Sequence, residues 1–477
     1  MTSNLMIIWA YLTLCIVGGF FKIPAMKSLK DYAVGSTRFS TAILIAATIA
    51  TAIGPGETIG TAEKAFSMGA IFVLPILLSP IKWHIMGTVF SPWVIYLQQH
   101  NCMTLVDVMK FLYGKWGRYV CLVGLLVNVG YLSVMYRGAA FVLEHYVNIP
   151  SVYGAIIVAT CIAIYSILGG INAVIATETI QFFIFTLIFP VIIILGIEGL
   201  NTTEIIARLP AERVHFDMSD IPLALSLIVY ECIIPYTGFP FIQRGLMCSS
   251  QKQTLAVFQA SGVVSALFLF IMGFIGMLAS GMNPDLKSDN AVFYFIDQTA
   301  PSYLVGFIAV SFLAVIMSTA SSFLNSVSII VVRDIVSPAF PKLINTDKKE
   351  LICAKVLGII VAVMSLCMIF IDEHIINILW TLDNFWDPFV SIPLLMGLAG
   401  VRIKSGKFKN VVGITFISII VARMIHEGFG TVTLCIGALT SVVCIFFYRD
   451  STSLRMSKHE ESDENNEEEK LQKPTIS

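Results

Sequence analysis

The stretch "TAIGPGETIG", residues 51–60, lies in the middle of a long apolar segment. Glycine weakens a helix interior and proline removes a backbone donor, so Gly54-Pro55-Gly56 predicts a helix that breaks partway along its length. Glu57 follows the break directly, and a carboxylate in an apolar surrounding is costly unless something pairs with it. We therefore expect Glu57 to face a polar cavity at the break.

The composition around this stretch is that of a membrane protein. The 477 residues are 57% hydrophobic and 13% charged, whereas a soluble domain has roughly 25% charged residues. Apolar runs of about 20 residues, each long enough to span a bilayer, recur along nearly the whole chain. The chain is predicted to be an all-α polytopic membrane protein, and its first apolar run, without a basic leader or a cleavage site, is predicted to be a retained helix.

The length criterion predicts about thirteen transmembrane helices. Their approximate limits are residues 4–22, 39–61, 69–98, 118–143, 151–169, 173–198, 221–241, 253–281, 303–332, 351–371, 374–400, 410–425 and 430–448. The loops alternate between a basic set (residues 22–38, 110–118, 244–252, 333–349 and 402–409) and an acidic or mixed set (198–220, 285–289, 372–373 and 427). The positive-inside rule then places the N-terminus outside and the C-terminus inside.

The residues after the last predicted span are of a different kind. The segment "KHEESDENNEEEKLQK" is highly charged and has little apolar surface to bury. We expect residues 451–477 to form a disordered acidic tail in the cytoplasm.

A second predicted span is broken at a corresponding place. Pro235, Gly238 and Pro240 interrupt the seventh span, five spans after the first break. Paired breaks of this kind predict a transporter built from an inverted repeat, with its binding site at the breaks. We assign residues 38–200 and 201–402 to two repeats of five helices, preceded by a helix and loop over 1–37 and followed by two helices over 403–450.

Three further stretches resemble one family. The segments "LAVIMSTASSFLNSVSIIVVRDIV" (residues 313–336), "GGINAVIATETIQ" (169–181) and "FIQRGLMCSSQKQT" (241–254) are similar to core motifs of the sodium:solute symporter family. The resemblance covers roughly residues 5–445 and implies a LeuT-like fold of five plus five core helices. It also implies a coupling-ion site made of the carbonyls of Ala50, Ile53 and Val315 and the side chains of Ser318 and Thr319.

Elementary chemistry agrees with such a site. Na⁺ is a hard cation that prefers oxygen ligands, and a broken helix releases backbone carbonyls inside a membrane. Ser318 and Thr319 add two adjacent hydroxyl groups. The alternative is that these hydroxyls bond back to carbonyls of their own helix.

Glu178 stands where the family resemblance implies an aspartate of the inner ion-release route. An intramembrane carboxylate is a functional candidate, and the extra methylene of glutamate changes its reach. A structural role in a salt bridge is the alternative.

The solute site departs from that of the sugar-transporting members that the chain resembles. Trp380 stands where those members have a glutamine, and Asp383 where they have a threonine; Asp383 and Asp387 share one helix face. Glu231 lies next to the second break, and Lys82 would either neutralise an acid or hold a solute carboxylate. Tryptophan with carboxylates favours a cationic nitrogen, so we expect an amino acid or an amine rather than a sugar. The predicted solute residues are Glu57, Lys82, Glu231, Tyr236, Thr237, Trp380 and Asp383.

Alternatives stay open for several of these residues. Trp380 and Trp386 would also suit an interfacial aromatic belt, and Asp387 would be merely solvated if it lay near the outer end of its helix.

The predicted function is Na⁺-coupled symport of a small polar solute across the cell membrane by alternating access. The sequence has no metalloprotease, serine-hydrolase or P-loop motif, so we expect no enzymatic activity. We expect no cofactor besides Na⁺ as the coupling ion, and no nucleic acid or obligate protein partner. A proton-coupled transporter of the same fold and a solute-sensing receptor remain the alternatives.

Overall fold

The helices of the chain follow one another with short connections. The computed structural model describes residues 2–21, 28–35, 38–198, 200–215, 217–342, 344–370, 374–403, 405–426 and 430–450. The α-helices are α1 Thr2–Phe21, α2 Leu29–Val34, α3 Thr41–Ala52, α4 Thr61–Met68, α5 Ala70–Ile76, α6 Ser79–Phe90, α7 Val94–Gln99, α8 Leu105–Val147, α9 Ser151–Glu198, α10 Thr202–Ala207, α11 Ile221–Ile233, α12 Phe239–Leu246, α13 Gln251–Met282, α14 Ala291–Thr299, α15 Val305–Ile330, α16 Ser337–Ala339, α17 Asp347–Cys367, α18 Ile375–Trp386, α19 Ile392–Leu398, α20 Ser405–His426 and α21 Thr431–Phe447.

Several predicted spans are divided into shorter helices. Within the described ranges, seven helical segments are long and apolar enough to cross a membrane, and α3 with the segment Gly56–Met68 makes an eighth if that bent pair is one span. Every predicted span contains helix, but breaks shorten many of the individual segments. The count of thirteen spans and the orientation of the termini stay predictions, and the predicted tail over 451–477 lies outside the described residues, as do loop residues 372–373 and 427.

Glycine marks two of the helix junctions. Gly114 has φ 62° inside α8 and separates a short first segment from the predicted span that follows. Gly170 has φ 58° inside α9 and separates the predicted spans 151–169 and 173–198. A left-handed conformation is costly for other residues, so glycine permits the chain to turn there between consecutive helices.

Helix α15 is the core of the protein. All side chains over residues 308–330 are buried, and the helix packs against α9, α8, α1, α17 and α3. A helix that is apolar nearly all round is buried on all sides. Its seven buried hydroxyl groups can therefore bond only to partners inside the protein.

Three interruptions of regular helix lie close to one another in space, around the cavity described below. Helix α3 ends at Ala52, and a π-helical turn Gly56–Gly60 leads into α4 after a bend of 64°. Between α11 and α12, Ile234 is extended (φ −81°, ψ 107°). The third is a π-helical turn, Asp387–Ser391, between α18 and α19. The first two are the predicted breaks, and the third was not predicted.

Candidate functional site

The five atoms of the predicted cation site converge where α3 breaks against α15. The Ser318 hydroxyl lies 2.7 Å from the carbonyl oxygens of both Ala50 and Val315. The Thr319 hydroxyl lies 2.8 Å from the Ile53 carbonyl, 3.3 Å from that of Ala50 and 3.2 Å from that of Val315. The hydroxyls thus bond both to their own helix, as the alternative proposed, and across to α3. Five oxygens from two helices suit a hard cation.

At the break, Glu57 takes the backbone donor that would otherwise bond to the carbonyl of Ala50. In a continuous α-helix the N–H of Gly54 would bond to Ala50, four residues earlier. Here the Gly54 N–H donates to Oε2 of Glu57 at 2.9 Å, and Pro55 has no N–H to donate. The Glu57 carboxylate thus lies in the first turn of the second half of the broken helix, where the helix dipole favours a negative charge.

Glu178 forms a buried ion pair, and its partner, Arg244, was not predicted. Nη2 of Arg244 lies 2.8 and 2.7 Å from the two carboxylate oxygens of Glu178. Ser322 donates to Glu178 and lies 2.6 Å from the same guanidinium nitrogen, while Thr51 lies 3.4 Å from Oε1. The alternative given for Glu178, a structural role in a salt bridge, describes this arrangement. Its role in ion release stays a prediction. The sequence contained Arg244 in a quoted motif, but no spacing rule connects it with Glu178.

All seven predicted solute residues line one cavity of about 130 Å³. Tyr131, Tyr230 and Asp387 join them, and Thr319 brings the cation site to its edge. The cavity lies among the three helix interruptions.

Lys82 neutralises one acid of this cavity. Its Nζ lies 2.8 Å from Oε2 of Glu231, and both side chains are at most 10% exposed. The same ammonium group lies over the rings of Tyr230 and Tyr236, 4.8 and 4.7 Å from their centroids. Of the two roles left open for Lys82, the structure thus shows the ion pair.

Asp383 is held by two tyrosines. Tyr131 donates to its Oδ1, and Tyr230 donates to its Oδ2 at 3.0 Å. These partners could not be predicted from the sequence, because they lie 252 and 153 residues away along the chain.

The tryptophans are buried. Trp380 and Trp386 are 8% and 3% exposed, so the interpretation as an interfacial belt is wrong; both pack inside the helix bundle. Trp380 lies beside Phe72, with Lys64 Nζ 5.2 Å from its ring centroid. A cation of the chain itself thus covers part of the ring that was expected to receive a solute cation.

Asp387 is likewise buried, at 5% exposure, and lines the cavity. The interpretation of Asp387 as a solvated residue is wrong, because the π-helical turn that begins at Asp387 continues into α19 and keeps the residue inside the bundle.

Comparisons with known proteins agree on a family. The model of the sodium:solute symporter family matches residues 32–403. A sodium/pantothenate symporter of Haemophilus influenzae is 25% identical over 340 residues, which are 67% of this chain and 69% of that protein. A sodium/glucose cotransporter of Vibrio parahaemolyticus is 24% identical over 412 residues, 76% and 75% of the two chains.

A solved structure shares the fold. A Na⁺-coupled sialic acid symporter in a substrate-bound, outward-open state superposes with a TM-score of 0.77 at 17% identity, covering 92% of this chain and 96% of that one. The predicted LeuT-like transporter fold is therefore confirmed.

Proposed function

This chain belongs to the sodium:solute symporter family, and we propose that the solute it moves together with Na⁺ carries a positively charged nitrogen, as an amino acid or an amine. Na⁺-coupled transport of a solute across the cell membrane follows from the family. The identity of the solute does not, since the relatives named above transport pantothenate, glucose and sialic acid.

The charge of the cavity carries the proposal. Four carboxylates line it, those of Glu57, Glu231, Asp383 and Asp387, and Lys82 is the single basic residue among the lining residues, all of which the structure describes. Lys82 is paired with Glu231. Three acids therefore remain without a cationic partner in the cavity wall, and an uncompensated charge inside a membrane protein costs several kcal/mol. One Na⁺ and a cationic solute group would offset most of that charge.

We propose that Na⁺ is held by the carbonyls of Ala50, Ile53 and Val315 and the hydroxyls of Ser318 and Thr319. The hydroxyls of Ser318 and Thr319 now donate to the carbonyls of Ala50 and Ile53. Bound Na⁺ would replace these hydrogen bonds, and all of these oxygens would then coordinate the ion. Because its ligands come from α15 and from the end of α3, bound Na⁺ would fix the position of the break. Glu57 would then be presented to the solute in a defined geometry, which is a physical basis for coupling.

Binding by purified protein tests the proposal. Thermal stability is measured in Na⁺ and in K⁺ with the twenty amino acids, simple amines, glucose, sialic acid and pantothenate. We expect stabilisation by at least one compound with a charged nitrogen, only in Na⁺, and none by glucose. A Na⁺-dependent response to glucose alone would overturn the proposed solute class.

Proton coupling is the second candidate, and the same three unpaired acids favour it. A proton on Glu57, Asp383 or Asp387 would neutralise that carboxylate. The free-energy cost of burying the side chain would then fall without a cationic solute. Uptake into proteoliposomes driven by a pH gradient without Na⁺ would support this candidate. We propose no enzymatic activity for either case.

A further inference from the structure

A chain of three hydrogen bonds ends on Asp387. Trp386 Nε1 lies 3.2 Å from the Thr237 hydroxyl, the hydroxyls of Thr237 and Ser391 are in contact, and Ser391 Oγ donates to Asp387 Oδ1 at 2.6 Å. An indole N–H can only donate. With Trp386 donating to Thr237, Thr237 to Ser391 and Ser391 to Asp387, every proton in the chain has an acceptor. All three donors then point toward Asp387, whose Oδ1 accepts the last of these bonds.

The backbone around Asp387 presents this carboxylate to the cavity. Pro388 has no N–H, so the regular bond to the carbonyl four residues earlier is lost there. The Ile392 N–H instead bonds the carbonyl of Asp387, five residues earlier, which makes the π-helical turn. Single π turns inside helices are frequent at functional sites. Thr237 belongs to the break between α11 and α12, so the hydrogen-bond chain links that break to the π turn.

The second oxygen of Asp387 has no partner. Within the described part of the chain, Oδ2 of Asp387 accepts no hydrogen bond, although the residue is only 5% exposed and lines the cavity. Asp383 differs, since a tyrosine hydroxyl donates to each of its oxygens. Because Asp387 lines the cavity, a donor on the solute would complete the hydrogen bonding of this oxygen.

The aromatic rings of the cavity bear on which kind of solute cation it can recognise. A quaternary ammonium has no N–H and is recognised by the faces of several aromatic rings. Here Lys82 lies over Tyr230 and Tyr236, and Lys64 lies over Trp380. Three of the eight aromatic residues in the cavity lining thus already contact cations of the protein. The oxygen of Asp387 without a donor is the group of the lining that would distinguish a nitrogen with an N–H from a quaternary ammonium.

We infer that Asp387, and not Asp383, holds the charged nitrogen of the solute, and that this nitrogen is a primary or secondary ammonium with at least one N–H. This inference rests on the proposed function and narrows the class of solute. Ser391 and Thr237 are positioning residues that orient the carboxylate, while Asp383 with its two tyrosines contributes negative charge to the cavity wall without direct contact.

The first experiment uses matched compounds. Wild-type protein in lipid nanodiscs with Na⁺ is titrated with glycine, glycine betaine and glycolate, with L-proline and its N,N-dimethyl betaine, and with ethanolamine, choline and ethylene glycol. Binding is measured by calorimetry. We expect the tightest binder to carry an N–H, and its fully N-methylated counterpart to bind about 10- to 100-fold more weakly, the loss of one charged hydrogen bond.

The second experiment uses variants with the tightest-binding compound of this set. Asp387→Asn is expected to weaken its binding about 10- to 100-fold, with Asp387→Glu recovering part of the loss. Asp383→Asn is the matched control on the same helix face and should weaken binding less. Ser391→Ala, which frees Oδ1 but keeps the charge, should have an intermediate effect. Stabilisation by Na⁺ alone shows that each variant is folded.

The outcomes separate the inference from the proposed function. Equal or tighter binding of the N-methylated compounds, or a greater loss in Asp383→Asn than in Asp387→Asn, overturns the inference and leaves the proposed function standing. If Asp387→Asn leaves the affinity unchanged and removes a pH dependence of uptake, Asp387 carries a proton and the inference is wrong. Binding of only neutral or anionic compounds overturns both.

Discussion

The carboxylate of Glu57 accepts the backbone N–H of Gly54 at 2.9 Å, and this single bond connects the proposed Na⁺ site with the solute cavity. It takes the donor that the Ala50 carbonyl would bond in an unbroken helix. That carbonyl instead lies 2.7 Å from the Ser318 hydroxyl. Glu57 also lines the solute cavity. A solute that contacts Glu57 is therefore expected to influence the ligands of the cation.

Replacement of Glu57 tests this connection. In Glu57→Ala the Gly54 N–H has no side-chain acceptor and can return to Ala50, so we expect the Na⁺ affinity to fall about 10-fold, the effect of one altered polar partner. In Glu57→Gln an amide oxygen remains to accept the bond, so Na⁺ affinity should stay near that of the wild type while solute affinity falls. Na⁺ titrations of thermal stability measure the first quantity, and solute titrations in saturating Na⁺ the second. Equal Na⁺ affinities in the two variants would contradict this role of Glu57.

The hydroxyls of Ser318 and Thr319 should set the Na⁺ dependence of transport. Loss of one oxygen from five is expected to weaken Na⁺ binding by about 1–3 kcal/mol, so apparent affinity should fall about 10- to 100-fold in Ser318→Ala and in Thr319→Ala. Ser321→Ala is the matched control, because its buried hydroxyl donates to the Ser318 carbonyl of its own helix, at 3.0 Å, and is not one of the five proposed ligand oxygens. The measurement is the Na⁺ concentration at half-maximal uptake in proteoliposomes. A Ser318→Ala/Thr319→Ala protein with wild-type Na⁺ dependence would show that the ion binds elsewhere.

The buried pair of Glu178 and Arg244 should act as a unit in stability. Removing one partner leaves an uncompensated buried charge, which typically costs about 3–5 kcal/mol. We expect Glu178→Gln and Arg244→Met each to lower the apparent melting temperature strongly, and the double variant to be less destabilised than the sum of the two. The control is Glu204→Gln, whose pair with Arg208 is more than half exposed and should contribute about 1 kcal/mol at most. Additive losses in the double variant would mean that the pair is not coupled.

The orientation in the membrane follows from the alternation of loop charge. In a background without reactive native cysteines, cysteines placed at Asn201 and Ser288 should react with an impermeant thiol reagent applied to intact cells. Cysteines at Thr346 and Ser405 should react only after the membrane is opened. The reverse pattern would invert the predicted topology.

The sequence by itself determined the features that depend on local chemistry. Gly54-Pro55-Gly56 and the Pro235–Pro240 region each combine glycine and proline within a few residues, which disfavours a regular helix, so both breaks were predictable. The composition required membrane helices, and two adjacent hydroxyls with freed carbonyls indicated a hard cation. The breaks and the membrane helices need only the residues and their neighbours along the chain, whereas the combination of Ser318 and Thr319 with the break in α3 came from the family resemblance.

The tertiary structure decided which charges are compensated. Lys82 reaches Glu231 across 149 residues and Arg244 reaches Glu178 across 66, while Tyr131 and Tyr230 come to Asp383 from different helices. Asp387 is buried because a π-helical turn and a hydrogen-bond chain through Thr237 hold it beside a break that is distant in sequence. Pairing of side chains depends on how helices pack against one another, and neither residue type nor spacing along the chain specifies that packing.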